Sequence, residues 1–201
     1  MDPEPRATFS RIGGHVALDL INTVEWRLSD ERREEDLRHY SDAVRWARQL
    51  ELISADEAES LSSPAAQASP EAEQELTQII ALREALYAAL FTAGGSQPVV
   101  EHYREAIGHA DLVRHDDDWM WTLPVDLSLP RRRIALAAID LMTRSDLSHL
   151  SRCQDAECGW VFLDTSPRSN RRWCVSSDCG NRNRVREYYA RARSIRAGEK
   201  A

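Results

Sequence analysis

Cys153-Gln-Asp-Ala-Glu-Cys158 and Cys174-Val-Ser-Ser-Asp-Cys179 hold the four cysteines of this chain, as two pairs with four residues between the thiols of each. A gap of that length lets a tight loop turn both sulfurs inward, and two such knuckles supply the tetrahedral thiolate cage that zinc prefers. The same four thiols could instead form two disulfides, in three pairings. Against disulfides stands the opening Met-Asp-Pro-Glu-Pro-Arg-Ala-Thr-Phe-Ser, which has neither the basic start nor the apolar run of an export signal and implies a reducing, cytoplasmic setting. A redox dithiol would favour a two-residue gap. The expected cofactor is one Zn2+ on Cys153, Cys158, Cys174 and Cys179, and four protein ligands leave it no open position for catalysis.

With 201 residues, the chain has room for one ordinary domain and a small appendage. The division expected is a helical region over 1–145 and a zinc finger over 146–201. A segment of about fifty residues cannot build a sufficient core unaided, so the stretch after Arg152 should depend on its metal. No apolar run approaches the ~20 residues of a membrane span. Charge is divided unevenly: residues 1–130 carry 11 basic and 25 acidic side chains, residues 131–201 carry 15 and 8. Such asymmetry suits a polyanion at one end and some other partner at the other.

Outside the finger the signals are mainly helical. In the segment from His15 to Arg27, Ala17, Leu18, Ile21, Val24 and Leu28 recur on one helical face. The charged stretch from Leu28 to His39 has little to bury and reads as a solvated loop or helix end. A second helix is expected from an N-cap at Ser41, with Val44, Trp46, Ala47, Leu50 and Ile53 inward. Ser54 and Glu57 form a capping box for a third. Residues 62–70 read as a linker, and Ser69 with Pro70 opens the longest helix, to about Thr92. Leu76, Ile79, Ile80, Leu86, Tyr87, Leu90 and Phe91 are its expected buried side. Pro98 restarts a helix to His109. Leu112–His115 and Trp119–Leu123, around three aspartates, suggest a hairpin. A last helix over 129–144 places Ile134, Ala138, Leu141 and Met142 inward.

Inside the finger, residues 160–164 and 171–174 have strand character around a polar turn, which predicts a hairpin between the cysteine pairs, with Asp164 paired to Arg171 and Arg172. Trp160, Phe162 and Trp173 are the expected small core. Gly180 should give the second knuckle backbone freedom and Asn181 should cap the helix that follows. On that helix Val185, Tyr188, Tyr189, Ala192 and Ile195 gather on one side and arginines on the other.

The finger, with Cys158-Gly-Trp-Val-Phe-Leu-Asp164, Arg171-Arg-Trp-Cys174 and Cys179-Gly-Asn-Arg182, resembles the CGNR zinc-finger family. Gly-Gly-His-Val-Ala-Leu-Asp-Leu-Ile-Asn-Thr-Val, residues 13–24, is similar to the opening of the helical ABATE domain joined to that finger in bacterial stress-induced transcription regulators. The resemblance implies a zinc-bound finger and a regulatory role, with no established operator or effector. DNA is the partner expected, RNA its nearest variant, and neither a membrane nor a catalytic reaction is foreseen; a homodimer and a small-molecule effector are the other partners considered.

Candidate phosphate contacts are Arg171, Arg172, Arg182, Arg184, Arg186 and Arg193, the first five clustered about one knuckle and one helix start, where phosphate contacts commonly arise. The alternative is that these arginines flank an apolar stripe, their stems lying along it. Asp19, Asn22 and Thr23 share a side of the first helix with Trp26 a turn further on, and could line a ligand pocket or simply satisfy buried hydrogen bonds. The six histidines show no metal spacing, and no phosphate-loop motif is present. Three functional classes follow: a DNA-binding regulator, a zinc-stabilised protein-interaction module, and a small-ligand-binding protein.

Overall fold

The helix expected between His15 and Arg27 stops at Ile21. His15 is extended and its Nδ1 accepts from Ala17 N, and the six-residue α1, Val16–Ile21, follows with all but its first residue buried. The apolar pattern continues, but Thr23 Oγ1 donates back to Leu20 O at 2.7 Å, Asn22 turns to another segment, and Val24–Glu25 becomes a strand, β1. Its partner β2, Glu34–Glu35, lies in the stretch read as solvated loop or helix end, with Val24 opposite Glu35.

In a computed structural model the chain is described over residues 8–63 and 69–198, with side chains to 194 in the last helix. The linker expected over 62–70 lies mostly outside the described residues, as do the first seven residues. The further helices are α2 Tyr40–Gln49, α3 Ala55–Leu61, α4 Pro70–Phe91, α5 Gln97–Gly108, α6 Leu129–Met142 and α7 Asn181–Gly198. The further strands are β3 Asp111–His115 and β4 Asp118–Thr122, then β5 Leu150–Arg152 and β6 Val161–Leu163, each pair antiparallel. Among the described residues the fold is thus mainly α, with seven helices and three two-stranded sheets, as the sequence pattern implied.

Caps account for several helix starts. Ser54 Oγ accepts from Glu57 N and Glu57 reaches back to Ser54 N, the reciprocal box expected. Ser69 caps α4 through Ala72 N, with Pro70 in its first turn. The cap of α2 lies two residues earlier than Ser41: His39 is the N-cap, and its N–H is held by Asp42 at 2.9 Å.

The core lies between α1, α2, α4 and α6, around Leu18, Leu20, Ile21, Trp46, Ile79, Leu82, Leu86, Ile134 and Leu141. Arginines that the apolar pattern did not include penetrate it as well. Arg83 is 1% exposed and donates to both carboxylate oxygens of Glu35, at 2.7 and 2.6 Å, and to Thr23 Oγ1 at 3.0 Å. Arg131 and Arg132 are likewise held by Glu75, Glu105 and Asp126. A buried guanidinium is tolerable only when paired this fully, so the charged stretch Leu28–His39 supplies Glu35 as an anchor and Leu37 as a core residue.

Candidate metal centre and nucleic-acid interface

The finger is built on a hairpin different from the one predicted. Strand β6 pairs with β5, Leu150 opposite Leu163 and Arg152 opposite Val161, so the first cysteine knuckle forms the turn of this hairpin. Residues 171–174 are not a strand; their link to it is Gln154 N donating to Arg172 O at 3.0 Å. Pleating divides β6 between two cores. Val161 and Leu163 join the apolar cluster of the helical region, while Phe162 joins the cluster of Cys153, Cys158, Cys174, Cys179 and Trp160, with Trp173 against it.

The first knuckle is also strapped to the amino-terminal segment. Asn22 pairs with both backbone groups of Val161, Nδ2 donating to its O at 2.9 Å and Oδ1 accepting from its N at 2.8 Å. Trp160 Nε1 donates to Val24 O at 3.0 Å, Arg27 N to Cys158 O at 2.9 Å and Leu163 N to Gly13 O at 2.9 Å. Gly159 has φ +75°, and a β-carbon there would come within 2.9 Å of Arg27 Cβ, so glycine is required both by conformation and by the close approach.

All four cysteines are buried, and their sulfurs lie within 4.8 Å of one another. Cys158 to Cys174 is 3.6 Å and Cys174 to Cys179 is 3.4 Å; a tetrahedron with Zn–S near 2.3 Å has edges of about 3.8 Å. Hydrogen bonding among the crowded sulfurs pushes the Cys153 thiol down and those of Cys158 and Cys174 up. Four thiolates at these separations repel, and a divalent cation at their centre resolves the conflict. The donor set therefore fits one Zn2+.

Arg182 completes the cage from outside. Its Nη2 donates to Cys179 Sγ at 2.9 Å, Nε to Asp155 at 3.0 Å and Nη1 to Asp178 at 2.7 Å, and its guanidinium lies 4.4 Å from the centre of the Trp26 ring. Asp155, to which the sequence analysis assigned no role, is the buried hub: it also accepts from Glu157 N, Asn183 Nδ2 and, at 3.4 Å, Arg186 Nη1. Burial acts to raise its pKa, but the Glu157 N–H and the Arg182 guanidinium outweigh it and hold the carboxyl below its usual range. The signal available in the sequence was an acid inside a knuckle facing an Arg-rich helix.

Chain comparisons agree with this geometry. Residues 14–145 match the ABATE family model, described as "Putative stress-induced transcription regulator". The chain belongs to the ABATE family. Residues 149–192 match the CGNR zinc finger, so the buried cysteine cage of this ABATE chain holds one structural Zn2+. Both families are regulatory or zinc-finger families rather than enzymatic ones. A search of curated proteins gives no significant match. No helix among the described residues is long and apolar enough to cross a membrane.

The candidate arginines divide into two sets. Arg171 donates to Cys174 O at 2.6 Å and to Trp173 O at 3.1 Å and lies over Phe162; Arg182 holds the cage; Arg186 pairs with Glu157 at 2.5 Å. Arg172, Arg184 and Arg193 are exposed, Arg172 bonded to Gln154 and Arg184 reaching Ser176 O at 3.4 Å. Arg168 and Arg191 share that exposure and were not singled out from the sequence. A hollow of about 260 Å³ is lined by Asn170, Arg171, Arg172, Trp173 and Ser176.

Three local expectations are corrected. Asp164 accepts from the backbone N–H groups of Ser166 and Arg171 instead of forming a side-chain ion pair. Asn181 is already helical at φ −67°, ψ −47°, while Asn183 makes the polar contacts at this helix start. Gly180 is demanded by proximity, since a β-carbon would lie 2.9 Å from Trp173 Cδ1. The residues proposed for a ligand pocket use their polar groups inside the fold: Asp19 accepts from Gly13 N at 2.7 Å, Asn22 and Thr23 bond as above, and Trp26 lies between Arg32 and Arg182.

Proposed function

We propose that this ABATE protein is a cytoplasmic bacterial transcription regulator whose finger contacts duplex DNA, while its helical region senses a signal or mediates association. The observation that carries the reading is the outward pair Arg172 and Arg184 at a helix start braced by the zinc cage, with Arg193 about three turns further along the same helix. A helix of this kind fits the major groove, and arginines at its flanks neutralise phosphates. Arg171, Arg182 and Arg186 serve the same end indirectly, by fixing the knuckle that aims the helix. Asn22 and Trp26 join the two regions, Asp19 and Thr23 fix the segment that carries them, and any signal would pass through that joint.

DNA affinity should fall steeply with salt, and Arg184→Ala or Arg193→Ala should each lower the slope of log K against log salt by about 1, because each removes roughly one phosphate contact. Absence of affinity for duplex DNA, single strands and structured RNA at low ionic strength rejects the reading; preference for RNA under one salt condition replaces DNA by RNA. A second reading, a zinc-stabilised interaction module, draws support from the exposed Val185, Tyr188 and Tyr189 on α7.

A further inference from the structure

We propose that the hairpin β3–β4 of one molecule docks on the apolar stripe of α7 in a second copy, and that the contact is reciprocal about a two-fold axis. It rests on the association half of the function above and is independent of DNA binding.

All ten hairpin residues are exposed. Leu112 pairs with Trp121 and Arg114 with Trp119, so both tryptophans and Leu112 stand on one face, with Trp119 64% exposed. An isolated two-stranded hairpin is at best marginally stable in water, and a contiguous exposed apolar patch marks an interaction surface. On α7 the matching feature is Val185, Tyr188 and Tyr189, at the i, i+3, i+4 spacing of one face, with the tyrosines 69% and 61% exposed. Tryptophan and tyrosine are the residues that most often anchor interfaces.

Charge selects the pairing. The hairpin carries Asp111, Asp116, Asp117 and Asp118 against Arg114 and His115, which pair with Asp117 and Asp116, whereas Arg184 and Arg191 flank the stripe on α7 with Glu187 beside Arg191. Hairpin on hairpin or helix on helix would oppose like charges, and hairpin on helix joins opposite ones. Both surfaces are exposed in the same chain, so neither covers the other within one molecule. A second copy offers both at equal stoichiometry, and two-fold symmetry uses each surface twice and closes the assembly. Two such contacts add toward the roughly 1,600 Å² of a standard interface.

Sedimentation equilibrium of the full zinc-loaded chain, without DNA, is the test. Dimers are expected, with dissociation constants rising at least tenfold for Trp119→Ser/Trp121→Ser and for Tyr188→Ser/Tyr189→Ser, each checked for unchanged helix content and one zinc per chain. Asp116→Arg/Asp117→Arg and Arg184→Glu/Arg191→Glu should each weaken self-association, and mixing the two should restore a heterodimer, because both contacts in it are then complementary. Monomers at all concentrations, dimers indifferent to these changes, or a hairpin swap that acts while the helix swap does not would overturn the proposal. A monomer that still binds DNA would remove this proposal and leave the proposed function standing.

Discussion

The two cysteine pairs have the same spacing and share one metal, yet they stand in different surroundings. The first is the turn of a hairpin whose outer strand contributes Val161 and Leu163 to the helical core and is tied down by Asn22, Gly13, Val24 and Arg27. The second reaches the rest of the molecule through the sulfurs, Trp173, Arg171 and Arg182, and then leads into a helix with exposed side chains. Zinc therefore acts as a rivet between an embedded half and a projecting half. The finger is less an appendage than its size suggested, because half of it is already part of the larger fold.

Loss of zinc breaks that rivet and should have the largest effect, since structural zinc contributes on the order of 10 kcal/mol or more. After chelation, or in Cys174→Ser, hydrogen exchange should rise through residues 174–198 while the amides of Val161 and Leu163 stay protected by Asn22 and Gly13. Equal loss of protection in β6 and α7 would show that the two halves are not distinct. Less than half an equivalent of metal in protein purified without chelator would reject the zinc assignment itself.

Asn22→Leu attacks the embedded half. It leaves the buried N–H and C=O of Val161 unpaired, each at about 1–3 kcal/mol, so a loss of roughly 2–6 kcal/mol is expected. Because the strap joins both regions, urea denaturation should remain one transition with a lower midpoint. A second transition, with the helical region unaffected, would mean that the finger sits on its neighbour without sharing its stability.

Much of this was legible in the sequence for a physical reason. Thiol spacing, capping pairs such as Ser54 with Glu57, and the break between Leu112–His115 and Trp119–Leu123 are local signals, and each appears in the structure. What escaped are the groups whose partners lie far along the chain. Arg83 bonds Glu35 across 48 residues and Asn22 bonds Val161 across 139, and no periodicity announces such pairs. Arginine counts alone were silent in the same way: nothing in the sequence shows that Asp155 and Glu157 pair with Arg182 and Arg186. The buried aspartate of the knuckle, Asp155, has partners that follow 27 to 31 residues later, which no local pattern reveals.

Asp19 adds a pH-dependent test of the joint. Burial pushes its carboxyl from 3.8 up to about 6, against the lowering effect of the Gly13 and Ile12 N–H groups. The folded state thus holds this proton more tightly than the unfolded state, so the protonated carboxyl favours the fold. That contribution is complete below about 3.8 and is lost as pH rises through about 6. The stability difference between the native chain and Asp19→Asn should therefore decline by up to about 3 kcal/mol between pH 4 and 7. A difference that stays flat would mean that the carboxyl ionises normally at this position.

The finest distinction lies within the arginines of the projecting half. Arg182→Met removes the N–H bond to Cys179 Sγ, takes a charged partner from Asp155 and uncovers Trp26. Groups that hydrogen-bond a metal ligand commonly tune affinity 10–100-fold, so competition with a chelator should show zinc held about that much more weakly, with one equivalent still bound at saturating metal. Arg184→Met, two residues on, has an exposed side chain and touches no sulfur; it should leave zinc affinity unchanged and weaken DNA binding. Equal zinc affinity in both variants would place Arg182 with the surface arginines and return it to the candidates for phosphate contact. Weaker zinc in Arg182→Met alone would establish that, within one helical turn, one arginine serves the metal and its neighbour serves the partner.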